Sequence, residues 1–299
     1  MGKFKDPDFF IVGLQKSGSY WVTALLNNHP EIRAFPSLRG GQTGVEEGHV
    51  FDVLATLPDD GGEKLKKSFS NHHNGFFKDI VSLIGKVSKK ELHEKIRDRY
   101  REWHHKWSEG KRLVGDKTTE YIFHLDMIDE FYPHVKKICI IRDPKDRLVS
   151  WHFHQIRKGR KKEGSVTDNF VTDYVDRVIR EYENMLAYKG HIHCFTYERL
   201  SREPKVVLSE LLSYLGAQTS DEILERMIKE ASIENLRAKD KTCVEGQSVA
   251  RGAEVQTSHY RKGVVGDWQN HLSDIQARMV DEKLALLQKK VFEKYHTRS

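Results

Sequence analysis

Cysteine and long apolar runs are both scarce in this 299-residue chain. The three cysteines, Cys139, Cys194 and Cys243, lack the close spacing of zinc ligands, and the first two fall in apolar segments that predict buried strands. This usage favours a reducing, cytoplasmic environment. The first apolar run, residues 9–14, is too short for a signal peptide or a membrane span, so we expect no membrane partner. Asp6 also stands where a myristoylation signal requires Ser or Thr.

The chain has little excess charge and no concentrated basic tail. Its net charge is +6 and its pI is about 9.0, which favours anionic ligands only weakly. Lys and Arg are scattered along the sequence, and this argues against nucleic acid as a partner. The dense basic run at residues 157–162 is interpreted as a solvated loop. The 16 histidines show no HExxH spacing, so no metal site is predicted.

Short apolar runs alternate with helical stretches along the chain. Five runs predict strands, at residues 9–14, 32–35, 112–115, 137–142 and 191–196. Eight segments predict helices, at residues 20–27, 89–108, 125–131, 146–156, 168–187, 204–215, 221–231 and 273–293. This alternation is typical of a three-layer α/β fold with a central parallel sheet of about five strands flanked by helices. We expect one domain over residues 1–299, with long loops at residues 37–48 and 239–260.

The first predicted strand leads into a turn rich in Gly and hydroxyl groups. Residues 13–21 read GLQKSGSYW and enter a helix. Backbone N–H groups of such a turn, together with the helix N-terminus, can hold phosphate oxygens, and Lys16 adds a mobile positive charge. A Walker A loop needs Lys and Ser or Thr directly after its last Gly, whereas here Ser19 follows Gly18. This spacing weakens a kinase or NTPase interpretation, and an ordinary strand-to-helix turn stays an alternative.

A second candidate anion site follows the strand at residues 137–142. Arg142 ends that strand, and the sequence DPKDR then leads into a helix that carries Ser150. An Arg guanidinium can make a two-pronged contact to phosphate, and a Ser hydroxyl can add a hydrogen bond. Ligands of open α/β sheets collect at the carboxyl ends of the strands, where both residues are expected. A third segment, residues 260–270, reads YRKGVVGDWQN and forms a basic, Gly-containing loop.

These three segments together resemble the cofactor-binding motifs of sulfotransferases that use 3′-phosphoadenosine 5′-phosphosulfate (PAPS). QKSGSYW resembles the 5′-phosphosulfate loop, RDPKDRLVSWHFH the 3′-phosphate motif, and RKGVVGDWQN the RKGxxGDWxN segment. The resemblance implies a P-loop-like fold and the following PAPS-binding residues: Gln15, Lys16, Ser17, Gly18, Ser19, Tyr20, Trp21, Arg142, Ser150, Tyr197, Arg261, Lys262 and Gly263. In this analogy Trp21 stacks on adenine. Ile233 and Leu236 stand where cytosolic members often carry Phe and Met.

The acceptor side resembles a different branch of the same family. Cytosolic members carry a catalytic His after a Lys-Thr pair, but residues 117–119 here read KTT. Residues 29–31 (HPE) and 46–52 (EEGHVFD) instead resemble heparan-type sulfotransferases, and that likeness selects Glu47 as the general base. It also directs Lys117 toward the transferring sulfate. His49 and Glu120 stay open as alternative bases.

The resemblance predicts transfer of a sulfuryl group from PAPS to a hydroxyl or amine, with release of adenosine 3′,5′-bisphosphate (PAP). Lys16 is expected to meet the charge that grows on the departing phosphate oxygen. The acceptor would be a small molecule or a carbohydrate. The alternatives are a P-loop nucleotide kinase or NTPase, and a non-catalytic module that binds an adenine nucleotide.

Overall fold

One parallel sheet forms the centre of the protein. The computed structural model describes residues 4–35, 48–55, 63, 66–67, 78–242 and 262–296. Within these ranges the strands are β1 (Phe9–Ile11), β2 (Ile32–Phe35), β3 (Leu113–Lys117), β4 (Lys136–Ile141) and β5 (His193–Thr196). They pair in the order β2-β3-β1-β4-β5, and every pairing is parallel. The predicted α/β fold with a five-stranded parallel sheet is confirmed.

The strands are apolar because helices cover both faces of the sheet. Phe9 and Ile11 point into one buried cluster, whereas Phe10 between them points into the other, as the two-residue period of a strand requires. Continuous apolar runs of this kind are typical of parallel sheets. Strand β1 ends three residues earlier than predicted, because Gly13 and Leu14 have positive φ angles and already belong to a turn.

The helices lie where the apolar periodicity predicts them, with small shifts at the ends. They are α1 (Ser19–Asn27), α2 (Phe51–Leu54), α3 (Lys78–Val81), α4 (Lys89–Trp107), α5 (Leu125–Phe131), α6 (Pro144–Arg157), α7 (Asp168–Ala187), α8 (Tyr197–Arg202), α9 (Pro204–Leu215), α10 (Asp221–Glu230), α11 (Ile233–Thr242) and α12 (Asp274–His296). Two 3₁₀ helices, Thr119–Phe123 and Asp267–Asn270, pack against α7 and α6 respectively. Helices α2, α3, α8 and α11 were not predicted, since three are too short to show a period and α11 is largely polar.

Capping side chains explain several of the helix starts. The hydroxyls of Ser88, Thr167 and Ser220 accept hydrogen bonds from backbone N–H groups at the starts of α4, α7 and α10. Helix α6 begins at Pro144, two residues before the prediction, because Pro suits the first turn and the Asp143 carboxylate accepts from Lys145 N at 2.7 Å. None of the helices in the described ranges has the length and apolarity to span a bilayer.

Candidate functional site

A cavity of about 630 Å³ opens at the carboxyl edge of the sheet. Loops that follow β1, β3, β4 and β5 meet there, as expected for parallel strands. Thirteen of the residues predicted from the sequence line this cavity: Gln15, Lys16, Gly18, Ser19, Tyr20, Trp21, His49, Lys117, Arg142, Ser150, Tyr197, Lys262 and Gly263. Ser17 is fully buried behind the loop and is not among the lining residues. Glu47 and Arg261 lie outside the described residues.

The turn between β1 and α1 has the backbone geometry of an anion cradle. Gly13, Lys16 and Gly18 have φ angles of 77°, 67° and 101°, and Leu14 has one of 33°. Positive φ is rare for residues other than Gly, so the surrounding structure must hold this turn in place. Gly18 caps α1, whose first N–H groups have no partner within the helix. The result is a concave backbone next to the positive end of a helix dipole.

Two ion pairs, one of them buried, hold that turn. The Arg147 guanidinium donates from Nε to the Gln15 carbonyl oxygen at 3.1 Å and pairs through Nη2 with the Glu181 carboxylate at 2.7 Å. Glu120 accepts from the Gln15 side-chain amide and pairs with Arg177 at 2.9 Å. Both contacts go to the same oxygen, Glu120 Oε1, and Glu120 is not among the residues that line the cavity.

Arg142 and the segment at residues 262–268 form the second half of the site. Arg142 Nη2 donates to the Val264 carbonyl oxygen at 2.9 Å, while its Nε is buried and has no hydrogen-bond partner in the described chain. The Asp146 carboxylate accepts from Gly266 N at 2.8 Å and Trp268 N at 3.0 Å, which fixes the segment over the start of α6. An orphaned guanidinium N–H suits an anionic oxygen, because a buried donor without a partner is costly.

The Tyr197 side chain joins the two halves. A Cβ on Gly18 would lie 2.8 Å from its ring, and a Gly is therefore required at that contact. On the other side the Tyr197 hydroxyl donates to the Gly263 carbonyl oxygen at 3.0 Å, and the Arg142 guanidinium lies 4.3 Å from the ring centroid. Burial raises the pKa of the Tyr197 hydroxyl, so it stays protonated as a donor. The Lys16 turn and the Arg142 site thus share one cavity wall.

The wall beside Trp21 is apolar. The Trp21 indole donates from Nε1 to the Ala231 carbonyl oxygen at 3.0 Å, and its ring lies 5.4 Å from that of Tyr197. Ile233 and Leu236 line the same wall, and Ile233 packs against Gly263. A planar, weakly polar group such as an adenine fits this surface.

Lys117 and His49 face the cavity from the side of β3. Lys117 ends β3 and is buried, and its Nζ lies 3.5 Å from the centroid of the Tyr20 ring. His49 Nδ1 lies 2.8 Å from the Asp52 carboxylate, an arrangement that orients the imidazole. Burial lowers the pKa of the nearby His124 imidazole, so this second ring stays neutral at pH 7.

A buried polar cluster of Tyr100, Asp116 and Tyr121 holds the backbone before α2. The Tyr121 hydroxyl accepts from Val50 N at 3.1 Å and lies 3.0 Å from the Tyr100 hydroxyl, which donates to the Asp116 carboxylate. A Cβ on Gly48 would collide with all three side chains. Burial raises the pKa of both tyrosines well above its ordinary value. This cluster was not predicted from the sequence, since nothing in a helical pattern marks Tyr100 as a neighbour of residue 48.

The formally charged side chains that line the cavity are all positive among the described residues. Cationic side chains line it at Lys16, Lys117, Arg142, Lys158 and Lys262, and no Asp or Glu is among the described residues of the lining. Lys158 was not predicted from the sequence to line the cavity, although Ser150, His154 and Lys158 follow one another at four-residue intervals on one side of α6. The described residues contain no group of His, Cys, Asp and Glu placed to hold a metal ion. The cavity is therefore suited to an anionic, adenine-sized ligand.

Comparison with known proteins agrees with this geometry. A family model described as the sulfotransferase domain matches residues 6–295. The chain belongs to the sulfotransferase domain family. Sulfotransferase 1C2 of Homo sapiens is 24% identical over 155 residues, which cover 49% of this chain and 52% of the relative. Cytosolic sulfotransferase 17 of Arabidopsis thaliana is 29% identical over 165 residues, covering 49% and 47%. This sulfotransferase-domain chain thus spans about half the length of the curated relatives it matches.

Solved structures of sulfotransferase-domain relatives share the fold. The crystal structure of mouse sulfotransferase SULT7A1 complexed with PAP aligns with a TM-score of 0.54 at 18% identity, covering 98% of this chain and 90% of that one. Retinol dehydratase in complex with androsterone and inactive cofactor PAP aligns with a TM-score of 0.56 at 16% identity, covering 98% and 82%. At these identities the comparison establishes the fold alone.

Proposed function

We propose that the protein transfers a sulfuryl group from PAPS to a hydroxyl or amine of a small-molecule or carbohydrate acceptor and releases PAP. The observation that carries the proposal is the single cavity that joins the Lys16 turn to the Arg142 site. A ligand with anionic groups at both ends of an adenosine would fill it. The complex of retinol dehydratase with androsterone supports a small-molecule acceptor by analogy.

The cavity divides into three parts that fit the three parts of PAPS. The Lys16 turn, residues 15–20, would hold the 5′-phosphosulfate. Arg142, Ser150 and the Arg261-Lys262-Gly263 segment would hold the 3′-phosphate, since Arg142 Nε is buried without a partner in the described chain. Trp21 and Tyr197 would bound the adenosine. Lys262 pairs with Asp267 at 2.9 Å, so it reaches a phosphate from an anchored position.

The acceptor would attack the sulfur atom of PAPS. The bond between that sulfur and the 5′-phosphate oxygen would then break, and the sulfuryl group would pass to the acceptor. The Lys16 ammonium and the N–H groups at the start of α1 stabilise the charge that grows on that oxygen. Lys117 would contact the sulfate from the opposite side. The acceptor proton needs a base, and Glu47 is the candidate from the sequence. It immediately precedes Gly48, which packs against the Tyr100, Asp116 and Tyr121 side chains, and His49, the next residue, lines the cavity.

His49 is the alternative base. It lines the cavity, and its Nδ1 lies 2.8 Å from the Asp52 carboxylate, which orients the ring as a base requires. Glu47→Gln and His49→Gln distinguish the two candidates, because loss of the base lowers kcat by about 100-fold to 10,000-fold while PAP binding is retained. If both variants keep the kcat of the wild-type protein, neither residue is the base.

Transfer of label tests the function itself. The protein is incubated with ³⁵S-labelled PAPS or γ-³²P-labelled ATP and a panel of phenols, alcohols, amines and sugars, and PAP and ATP affinities are measured in parallel. We expect ³⁵S in the acceptor and tight PAP binding. Transfer of ³²P would establish a kinase instead, and PAP binding with no transfer to any acceptor would establish a non-catalytic binding module. One domain over residues 1–299 and a cytoplasmic location stay predictions, and limited proteolysis with and without PAP tests the first.

A further inference from the structure

The basic run at residues 157–162 is not purely a solvated loop. Lys158 caps the C-terminus of α6 and lines the cavity, whereas Arg160 and Lys162 in the same run do not. Its ammonium group makes no hydrogen bond or ion pair with any residue that the structure describes, and the side chain is exposed at the cavity edge. It is thus a cation at the site whose partner is not supplied by the described protein.

Lys158 lies away from the residues assigned to the donor. Arg142, which donates to the Val264 carbonyl oxygen, lies just before the start of α6, and Ser150 lies in the middle of that helix. Lys158 follows Ser150 by eight residues, which places its Cα about 12 Å farther along the helix axis. An anion bound within about 3 Å of the Ser150 hydroxyl would therefore lie about two helical turns before Lys158. Ser150, His154 and Lys158 therefore form a line that leads out of the 3′-phosphate site.

We infer that the acceptor carries a negatively charged group, such as a carboxylate, sulfate or phosphate, which binds Lys158. The inference rests on the proposed function and specifies the class of its acceptor. The described lining contains no carboxylate that could neutralise Lys158, so a cationic acceptor would be repelled and a neutral one would gain nothing from this side chain. His154, one turn earlier on α6, lies between Lys158 and Ser150 and can donate a second hydrogen bond to the same group.

A pair of acceptors that differ only in charge tests the inference. The probes are 4-methylumbelliferyl glucuronide, which bears a carboxylate, and 4-methylumbelliferyl glucoside, which does not. Initial rates of ³⁵S transfer from PAPS are measured at low ionic strength, where the pair is least screened. Calorimetric titration of each probe into the PAP-loaded protein is carried out in parallel, so that binding is measured even where no sulfate is transferred.

The variants are Lys158→Ala and Lys158→Glu, with Lys189→Glu as the control. Lys189 is also an exposed cation directly after a helix end, but it does not line the cavity. We expect the wild-type protein to favour the glucuronide. Lys158→Ala should lower that preference about twofold to fivefold, as for an exposed ion pair. Lys158→Glu should reverse it, and Lys189→Glu should leave it unchanged.

Three results would overturn the inference. The first is equal use of both probes by the wild-type protein, and the second is a preference that survives Lys158→Glu. The third is a parallel loss of PAP affinity in Lys158→Glu, which would assign Lys158 to the donor. If neither probe receives sulfate but the calorimetric preference for the glucuronide disappears in Lys158→Glu, the anion site stands, and label transfer to the wider acceptor panel decides the proposed function.

Discussion

The contact between Gly18 and Tyr197 predicts a specific effect of Gly18→Ala. The new Cβ would lie 2.8 Å and 3.1 Å from two carbons of the Tyr197 ring, and the backbone φ at this residue is +101°. The positive φ costs about 1–2 kcal/mol for a residue with a Cβ, and forcing the ring aside adds about 1–3 kcal/mol. The summed destabilisation is about 2–5 kcal/mol, which corresponds to a fall in Tm of several degrees.

The same displacement should weaken PAP binding, because Tyr197 also holds the Gly263 carbonyl and lies under Arg142. Gly110→Ala is the matched control, since Gly110 has a φ of +73° and no atom within 4 Å of a new Cβ. It isolates the backbone cost. Thermal unfolding and PAP titration of both variants provide the two readouts. If Gly18→Ala lowers Tm no more than Gly110→Ala and binds PAP with unchanged Kd, the role assigned to Tyr197 is wrong.

Three further predictions concern other parts of the molecule. Tyr121→Phe leaves the Val50 N–H without its acceptor and should destabilise the protein by about 1–3 kcal/mol, as measured by denaturation. It should also lower kcat for ³⁵S transfer, and an unchanged kcat would contradict the positioning role of Tyr121. Burial lowers the pKa of His193 to about 4 from 6.5, so its contribution to stability, present above pH 6.5, should be lost as the pH falls toward 4. A His193→Phe variant should show a smaller slope in pH-dependent unfolding than the wild-type protein, and an unchanged slope would contradict this role. Lys16→Ala should lower kcat, whereas Arg142→Ala should mainly raise KM for PAPS, and equal small changes in both would refute the division of roles.

The turn around Lys16 was predictable because its geometry is local. A Gly at residue 18, a helix directly after it and an Arg at the end of a neighbouring strand are all properties of adjacent residues. The order of the strands then brings the two segments together, since carboxyl ends of parallel strands meet at one edge. Expected strand and helix positions were correct within a few residues for the same reason.

The supports of the site were not predictable, because each depends on contacts between distant parts of the chain. Arg147 reaches the Gln15 carbonyl across 132 residues, and Tyr121 reaches Val50 N across 71. Neither position differs from an ordinary core residue in the sequence. Lys158 belongs to a run that looks solvated, and only the placement of α6 against the sheet shows that one of its cations faces the cavity.

The double attachment of Tyr197 has a consequence for how substitutions combine. A change in the Lys16 turn and a change in the segment at residues 262–266 act on opposite sides of one ring. Their effects on donor affinity should be non-additive. Either change alone frees the Tyr197 ring, and the second change then has few contacts of that ring left to break. Selectivity for nucleotides with altered 5′ or 3′ groups therefore cannot be redesigned at one end of the cavity in isolation.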